Sequence, residues 1–148
     1  MSRALAWLLD PGPPERRRLP PRLVAAAVFV PVGLGKFVNH DAYAERFERW
    51  GFGVAPGAVA ILVGLLEVGA GVLLLLGALV RPAALALIAN MVGALAKAGR
   101  IDGGQDVWLP LVMIAVLACV VALGAGAPRW EPPYSGVSVT SRGRPNAR

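Results

Sequence analysis

The feature that most constrains this chain is an apolar stretch, residues 57–80, with one ionisable residue, Glu67, near its middle. A transmembrane helix needs about 20 apolar residues, because each residue adds about 1.5 Å and the hydrocarbon core is about 30 Å thick. The stretch is long enough to meet that requirement. A carboxyl group at this depth costs roughly 3 kcal/mol or more, so other residues must compensate for Glu67.

The composition is typical of a membrane protein. Of the 148 residues, 56% are hydrophobic and only 16% are charged, against about 25% charged residues in soluble domains. The apolar residues lie in blocks rather than at amphipathic spacing, which indicates an all-α integral membrane protein. The net charge of +6 does not indicate nucleic-acid binding, because the arginines cluster outside the apolar blocks. The single cysteine, Cys119, excludes an intramolecular disulfide, and the sequence shows no metal-ligand spacing.

The apolar blocks predict a membrane-spanning four-helix bundle. Pro31 interrupts the first block, and Arg81-Pro82 ends the second and starts a tight hairpin into the third. A signal peptide is the alternative interpretation of the first block. Prolines and arginines at both ends predict basic tails, residues 1–22 and 128–148. The predicted spans lie near residues 23–40, 57–80, 82–99 and 107–127.

The segment between the first two spans, residues 39–56, predicts a short helix along the membrane surface. Tyr43, Phe47 and Trp50 recur at i, i+4 and i+7 and therefore share one face. We expect these side chains, together with Trp108 at the start of the fourth span, to be anchors at the headgroup level. Packing of the same face over the bundle is a compatible alternative.

Positive charge is divided unevenly between the two sides that four spans would define. The tails and the Arg81 hairpin share one side and carry most of the arginines, whereas the other side balances its acidic and basic residues. Loops rich in lysine and arginine stay in the cytoplasm. The sequence therefore predicts that both termini are cytoplasmic.

Small residues define the faces along which the helices are expected to pack. On the second span, Glu67 lies in a stripe of glycines and alanines, so its carboxyl group is predicted to face the bundle. The corresponding stripe holds Lys36 and His40 on the first span and Asn90 on the third. The glycines assigned to helix packing are Gly33, Gly64, Gly71 and Gly93.

Lys36 and Glu67 are predicted to form an ion pair or a close water-mediated contact. Helical side chains lean toward the N-terminus of their own helix, so side chains on two antiparallel spans lean toward each other. Asn90 would reach the same interior, whereas His40 is expected to be interfacial. Such a cluster could lock three helices in register. It could equally be a functional site, because an ionisable group inside a membrane is a functional candidate by default.

Three segments resemble the DoxX family of small four-helix bacterial membrane proteins. They read GLGKFVNH, then WGFGVAP, then LLEVGAGVLLLLGALVRPAALAL, and the resemblance covers about residues 23–127. Its specific parts are Gly33 and Lys36 in the first span and Glu67, Gly69 and Gly71 in the second. The resemblance implies a multi-pass protein of the bacterial plasma membrane that takes part in an oxidoreductase system.

The favoured function is an accessory subunit of such a system, in contact with soluble redox proteins and capable of binding quinone. No cofactor is evident from the residues themselves, and we do not expect the isolated chain to be an enzyme. A small proton-coupled permease and a purely structural membrane scaffold are the alternatives. The small-residue faces permit, but do not require, a homo-oligomer in the lipid bilayer.

Overall fold

The computed structural model describes residues 3–10, 15–101 and 107–126, and this part of the chain is helical without any strand. A single 3₁₀ turn at Arg16–Arg18 precedes the second helix. The sequence predicts a polar turn at residues 101–106, of which Ile101 belongs to the last helix turn before the gap and 102–106 lie outside the described residues. The predicted tail from residue 128 onward also lies outside them. The helices are α1 (Arg3–Leu9), α2 (Leu19–Val38), α3 (His40–Arg49), α4 (Pro56–Leu76), α5 (Val80–Ile101) and α6 (Trp108–Leu123).

Three of these helical segments are long and apolar enough to cross a membrane, namely Arg16–Val38, Pro56–Leu76 and Val80–Lys97. This confirms the all-helical membrane class that the composition predicts. The helix α6 has 16 residues and is therefore about 24 Å long at 1.5 Å per residue, which is less than the hydrocarbon thickness. A fourth span, and with it a membrane-spanning four-helix bundle, stays a prediction.

The start of α2 differs from the prediction. The helix begins at Leu19, four residues before the expected span, and Pro20 and Pro21 occupy its first turn. Proline fits there because the first N–H groups of a helix have no intrahelical partner to lose. The helix also continues through Pro31, which the sequence indicates as an interruption. Proline inside a membrane helix is tolerated where neighbouring groups satisfy the freed backbone carbonyl.

The glycines on α2 and α4 allow these two helices to pack closely. A Cβ atom added to Gly33 would lie 2.8 Å from Val68 Cγ2, and one added to Gly71 would lie 2.8 Å from Val30 Cγ2. A Cβ atom on Gly64 would lie 3.1 Å from the Phe37 ring. All three predicted packing glycines of α2 and α4 therefore lie at the contact, and their order shows that the helices run antiparallel.

The turn between α4 and α5 is a glycine-terminated helix end. Gly77 has a φ of 73° and follows the last residue of α4. The N–H of Ala78 donates to the carbonyl of Leu73 and the N–H of Gly77 to that of Leu74, which is the hydrogen-bond pattern of a Schellman motif. This glycine is required because a Cβ atom is unfavourable at positive φ. The turn places Arg81 one residue into α5.

The largest apolar core lies where α2, α4, α5 and α6 meet near the turn. It contains Phe29, Leu74, Leu87 and Leu117, each at most 1% exposed. On α5 the buried residues include Ala84, Leu87 and Met91, so the buried face is rotated by about one residue from the predicted stripe. Both small and large apolar side chains of this helix are therefore buried.

Arginines join the first and last helices at the end of the molecule near Arg81, here called the Arg81 end. Arg18 donates to the carbonyl of Leu123 and Arg22 to the carbonyl of Ala125. Arg22 is only 1% exposed, so it packs inside the molecule, whereas its predicted role in orienting the N-terminus stays a prediction. The C-terminal carbonyls of a helix lack intrahelical partners and attract cationic donors, which explains the contact of Arg18 with Leu123, the last residue of α6.

Arg81 also holds the N-terminal helix against the bundle. Its guanidinium donates to the carbonyls of Val121, Trp7 and Asp10 at 3.1, 2.6 and 2.7 Å. The Arg81 Cζ atom lies 4.6 Å from the centre of the Trp7 ring. The first 22 residues are therefore not a uniform tail, since α1 lies within the predicted tail and contacts α5.

Candidate functional site

The buried polar cluster contains one side chain from each of three helices. Lys36 Nζ on α2 forms an ion pair with Glu67 Oε2 on α4, as predicted. Asn90 Nδ2 on α5 donates to the other carboxylate oxygen of Glu67 at 2.9 Å. Lys36 and Glu67 are only 6% and 2% exposed, so both charges are removed from the surroundings and depend on each other.

The backbone explains why the two charges meet. A Cβ atom on Gly33 would lie 2.9 Å from Glu67 Cβ, so α2 and α4 are packed closely one turn before Lys36. Because the helices run antiparallel, each side chain leans toward the level of the other. A buried ion pair gains stability only with good geometry and additional hydrogen bonds. The Asn90 amide supplies one of these to Glu67.

Tyr43 on α3 provides a further contact for the lysine. Lys36 Nζ lies 5.0 Å from the centre of the Tyr43 ring, within the range of a cation–π interaction. This contact connects α3 to the polar cluster. The sequence predicts Tyr43 only as an interfacial anchor, because a cation–π contact between residues seven positions apart and on different helices has no periodic signature.

Phe47 on α3 and Trp50, which directly follows that helix, pack against α4. Phe47 is 6% and Trp50 9% exposed, and both cluster with the fully buried Ala60. The rings of Phe47 and Trp50 meet edge to face with centroids 5.6 Å apart. The packing interpretation of this face is therefore confirmed for the two residues, whereas a position at headgroup level stays a prediction.

A cavity of about 820 Å³ opens beside the polar cluster. This volume lies within the range of small-molecule sites, about 300–1,000 Å³. The cavity extends from the level of Glu67 toward α3, a direction called here the α3 end. Aromatic and aliphatic side chains form most of its wall. Its lining residues include Val32, Lys36, Tyr43, Phe47, Trp50, Val59, Val63, Glu67, Asn90, Gly93, Lys97 and Trp108.

Gly93 and Trp108, predicted for helix packing and for interfacial anchoring, also line this cavity. Gly93 has nothing within 4 Å of an added Cβ atom, so the prediction that it packs a helix is wrong. Its face of α5 borders open space because the cavity separates it from the other helices. Trp108 is 75% exposed at the first turn of α6. Its predicted interfacial role is untested.

His40 does not join the polar cluster. It starts α3, is half-buried, and places its ring against α4, where a Cβ atom on Gly57 would lie 2.8 Å from His40 Cε1. No contact of His40 with the polar cluster supports a role for this residue in ligand binding. Among the described residues no group of three His, Cys, Asp or Glu side chains is arranged to hold a metal ion.

Lys97, which the sequence places at the end of the third span on the same face as Asn90, lines the cavity. Lys97 Nζ donates to the carbonyl of Trp50 at 2.8 Å and lies 5.3 Å from the centre of the Phe52 ring. Its spacing of seven residues from Asn90, two helical turns on the same face, predicts that face, but the sequence does not indicate the contacts with Trp50 and Phe52.

The fold and the site define a class of helical membrane protein with a charged pair buried beside an apolar cavity. The sequence profile of the DoxX family matches residues 18–100, which is more than half of the chain. The chain therefore belongs to the DoxX family, as the motifs around Lys36 and Glu67 predict.

One curated relative is an uncharacterized membrane protein, Rv3486, of Mycobacterium tuberculosis (strain ATCC 25618 / H37Rv). The two sequences are 43% identical over 98 residues, which cover 64% of this chain and 58% of the relative. The aligned part thus spans less than two thirds of that protein. No solved structure matches the chain significantly.

Proposed function

We propose that this protein is an accessory subunit of a membrane oxidoreductase system and that its cavity binds a quinone. The observation that carries the proposal is the position of the Lys36–Glu67–Asn90 cluster in the wall of a cavity of about 820 Å³. A cluster that only locked helices together would not need such a cavity. Membership of the DoxX family supports the redox context.

The residues present suit a quinone. Its ring is flat and apolar and would pack against the side chains of Phe47, Val59 and Val63. Its carbonyl oxygens accept hydrogen bonds, and the ammonium of Lys36 and the amide of Asn90 are donors with more than one N–H each. When bound, a quinone supplies two-electron redox chemistry that the side chains themselves lack.

Within this proposal each polar residue has a separate task. Lys36 and Asn90 orient the head group by hydrogen bonds. Glu67 holds both donors in place through its two carboxylate oxygens and is the group able to accept a proton. A soluble redox protein would exchange the electrons. The arginines at the Arg81 end support placing that end of the protein, with both termini, at the cytoplasmic face of the plasma membrane. The soluble redox protein would bind on that side.

Quinone binding can be measured directly through the tryptophans of the cavity. The full chain is placed in nanodiscs of uncharged lipid and titrated with decylubiquinone, which quenches the fluorescence of nearby indoles. We expect saturable quenching, because Trp50 and Trp108 line the cavity. Asn90→Leu removes a polar contact and should weaken binding about tenfold, the effect of losing about 1.4 kcal/mol.

The matched control is Gly69→Ala, a substitution on α4 outside the cavity at a position with open space around it. This variant should titrate like the wild type. Quenching that does not saturate, or that is the same for Asn90→Leu and the wild type, would mean that the quinone only partitions into lipid. Either result would contradict the proposal.

A further inference from the structure

The cavity has a second polar end, distinct from the Lys36–Glu67–Asn90 cluster. Lys97 lies seven residues after Asn90 on α5, about 10 Å farther along the helix axis at 1.5 Å per residue. Both side chains line the same cavity. Between the two levels the wall is apolar and includes Val63, Gly93 and Ala94. The apolar wall and Lys97 are therefore suited to a ligand with an apolar body and a polar head group at the Lys97 level.

The two ends differ in charge. Among the described residues that line the cavity, Lys36, Arg46 and Lys97 are basic, and Glu67 is the acidic residue. Glu67 pairs with Lys36, so the polar cluster is close to neutral overall. Lys97 lies at the α3 end, away from this pair. Charge near low-dielectric walls attracts counter-charge more strongly than it does in water.

Lys97 has the geometry of an anion ligand. Its ammonium carries three N–H donors, and its contacts within the described residues are the Trp50 carbonyl and the Phe52 ring. Neither partner carries a formal charge that would balance the ammonium. A half-buried cation with neutral partners is stabilised further when an anion binds beside it.

A purely structural role for Lys97 is the competing explanation. Trp50 follows the last residue of α3, and a lysine that donates to such a carbonyl stabilises the C-terminus of the helix. A cap of this kind would fix α3 to α5, but it would not make the cavity distinguish an anionic ligand from a neutral one. The two roles can therefore be separated by ligand charge.

We propose that Lys97 forms an anion subsite at the α3 end of the cavity, which binds an amphipathic carboxylate or phosphate. The apolar body of this ligand lies between the α3 aromatic residues and α5, and its head group contacts Lys97 Nζ. The subsite shares the cavity with the proposed quinone site but does not depend on a redox role. A fatty carboxylate and a lipid phosphate are two sources of the same chemistry.

The test compares three probes with the same chain length, namely decanoate, decyl phosphate and decanol. The full chain in uncharged detergent micelles is dialysed to equilibrium against each labelled probe, and binding to empty micelles is subtracted. We expect at least one anionic probe to bind about tenfold more tightly than decanol, because hydrogen bonds to charged groups are stronger than neutral ones. The preferred anion identifies carboxylate or phosphate as the natural head group.

Two variants connect this preference to Lys97. Lys97→Met should reduce the difference between the anions and decanol to less than about twofold, whereas Lys97→Arg should retain it, because both basic side chains stay charged. Gly69→Ala is the control. Equal binding of all three probes to the wild type, or an unchanged preference in Lys97→Met, would overturn the proposal. The wild-type comparison gives an answer even if Lys97→Met does not fold.

The outcome is independent of the quinone titration. Saturable binding of decylubiquinone without a preference for anions would support the proposed function and reject the subsite. A preference for anions that depends on Lys97, without quinone binding, would do the reverse.

Discussion

Gly33 and Glu67 lie against each other where α2 and α4 pack closely, and an added Cβ atom on Gly33 would be 2.9 Å from Glu67 Cβ. Real Cβ atoms are not found at such a distance from another carbon, so the site requires glycine. The contact also sets the spacing of the two helix axes. Lys36, three residues later, reaches the carboxylate because the backbones are this close.

Gly33→Ala should therefore destabilise the protein. The new methyl group meets Glu67 Cβ, Val68 Cγ2 and the Gly64 carbonyl within 3.0 Å, and overpacking of this kind typically costs about 1–3 kcal/mol. Thermal denaturation in detergent would show the loss as a lower midpoint. Gly69→Ala makes the same chemical change on α4 with nothing within 4 Å and should leave the midpoint unchanged or raise it. Equal effects of the two substitutions would argue against close packing at Gly33.

The ion pair should show strong coupling between its two members. Lys36→Met leaves the Glu67 carboxylate buried without its counter-charge, and breaking such a pair costs about 3–5 kcal/mol. Glu67→Gln likewise leaves the Lys36 ammonium buried without its counter-charge. The double variant removes both charges, so its stability should exceed that of Lys36→Met alone. A double-mutant cycle on denaturation midpoints or on membrane abundance measures the coupling.

Additive effects in that cycle would mean that the two charges act independently, contrary to their contact. The cycle also separates the two interpretations of the cluster. If the double variant recovers stability but loses quinone binding, the charges serve the ligand. If it recovers both, the pair is a structural lock.

The polar cluster could be predicted from the sequence because the face on which each of its residues lies depends only on spacing within its own helix. Heptad spacing places Glu67 on the glycine face, and the lean of helical side chains directs Lys36 toward it. These rules depend on the chain alone. The result is an ion pair predicted between residues 31 positions apart and found in the structure.

The cavity and the arginine contacts were not predictable in the same way. Gly93 has the same spacing as the packing glycines, but it borders empty space because the partner helix is not there. Arg22 lies in a basic segment, yet it is buried because the chain that follows α6 passes beside it and presents the Ala125 carbonyl. Both outcomes depend on where other helices begin and end, which periodicity does not contain.

Asn90 should affect the stability of the protein through its hydrogen bond to Glu67, in addition to any effect on ligand binding. Asn90→Asp would place a second carboxyl group 2.9 Å from Glu67 Oε1, at the position of the present amide. The new carboxyl group would replace the amide donor with a like charge beside Glu67. The variant should therefore be less stable than the wild type, whereas Asn90→Leu adds no charge and should lose less stability. Denaturation midpoints of the two variants would show this difference, and equal midpoints would contradict it.

Arg81 should control whether α1 stays attached to the bundle. Its guanidinium contacts three carbonyls on two separate segments, at Trp7, Asp10 and Val121, and packs on the Trp7 ring. Lysine keeps the charge but lacks the planar fork that makes these contacts together. Arg81→Lys should therefore release α1. The release would appear as faster proteolytic cleavage near the N-terminus and a red shift of Trp7 fluorescence, measured in a chain whose other tryptophans are replaced by phenylalanine. Arg17→Lys, at an exposed arginine paired with Glu15, is the matched control and should change neither. Retention of α1 in Arg81→Lys would show that the apolar contacts of α1 are sufficient to hold it.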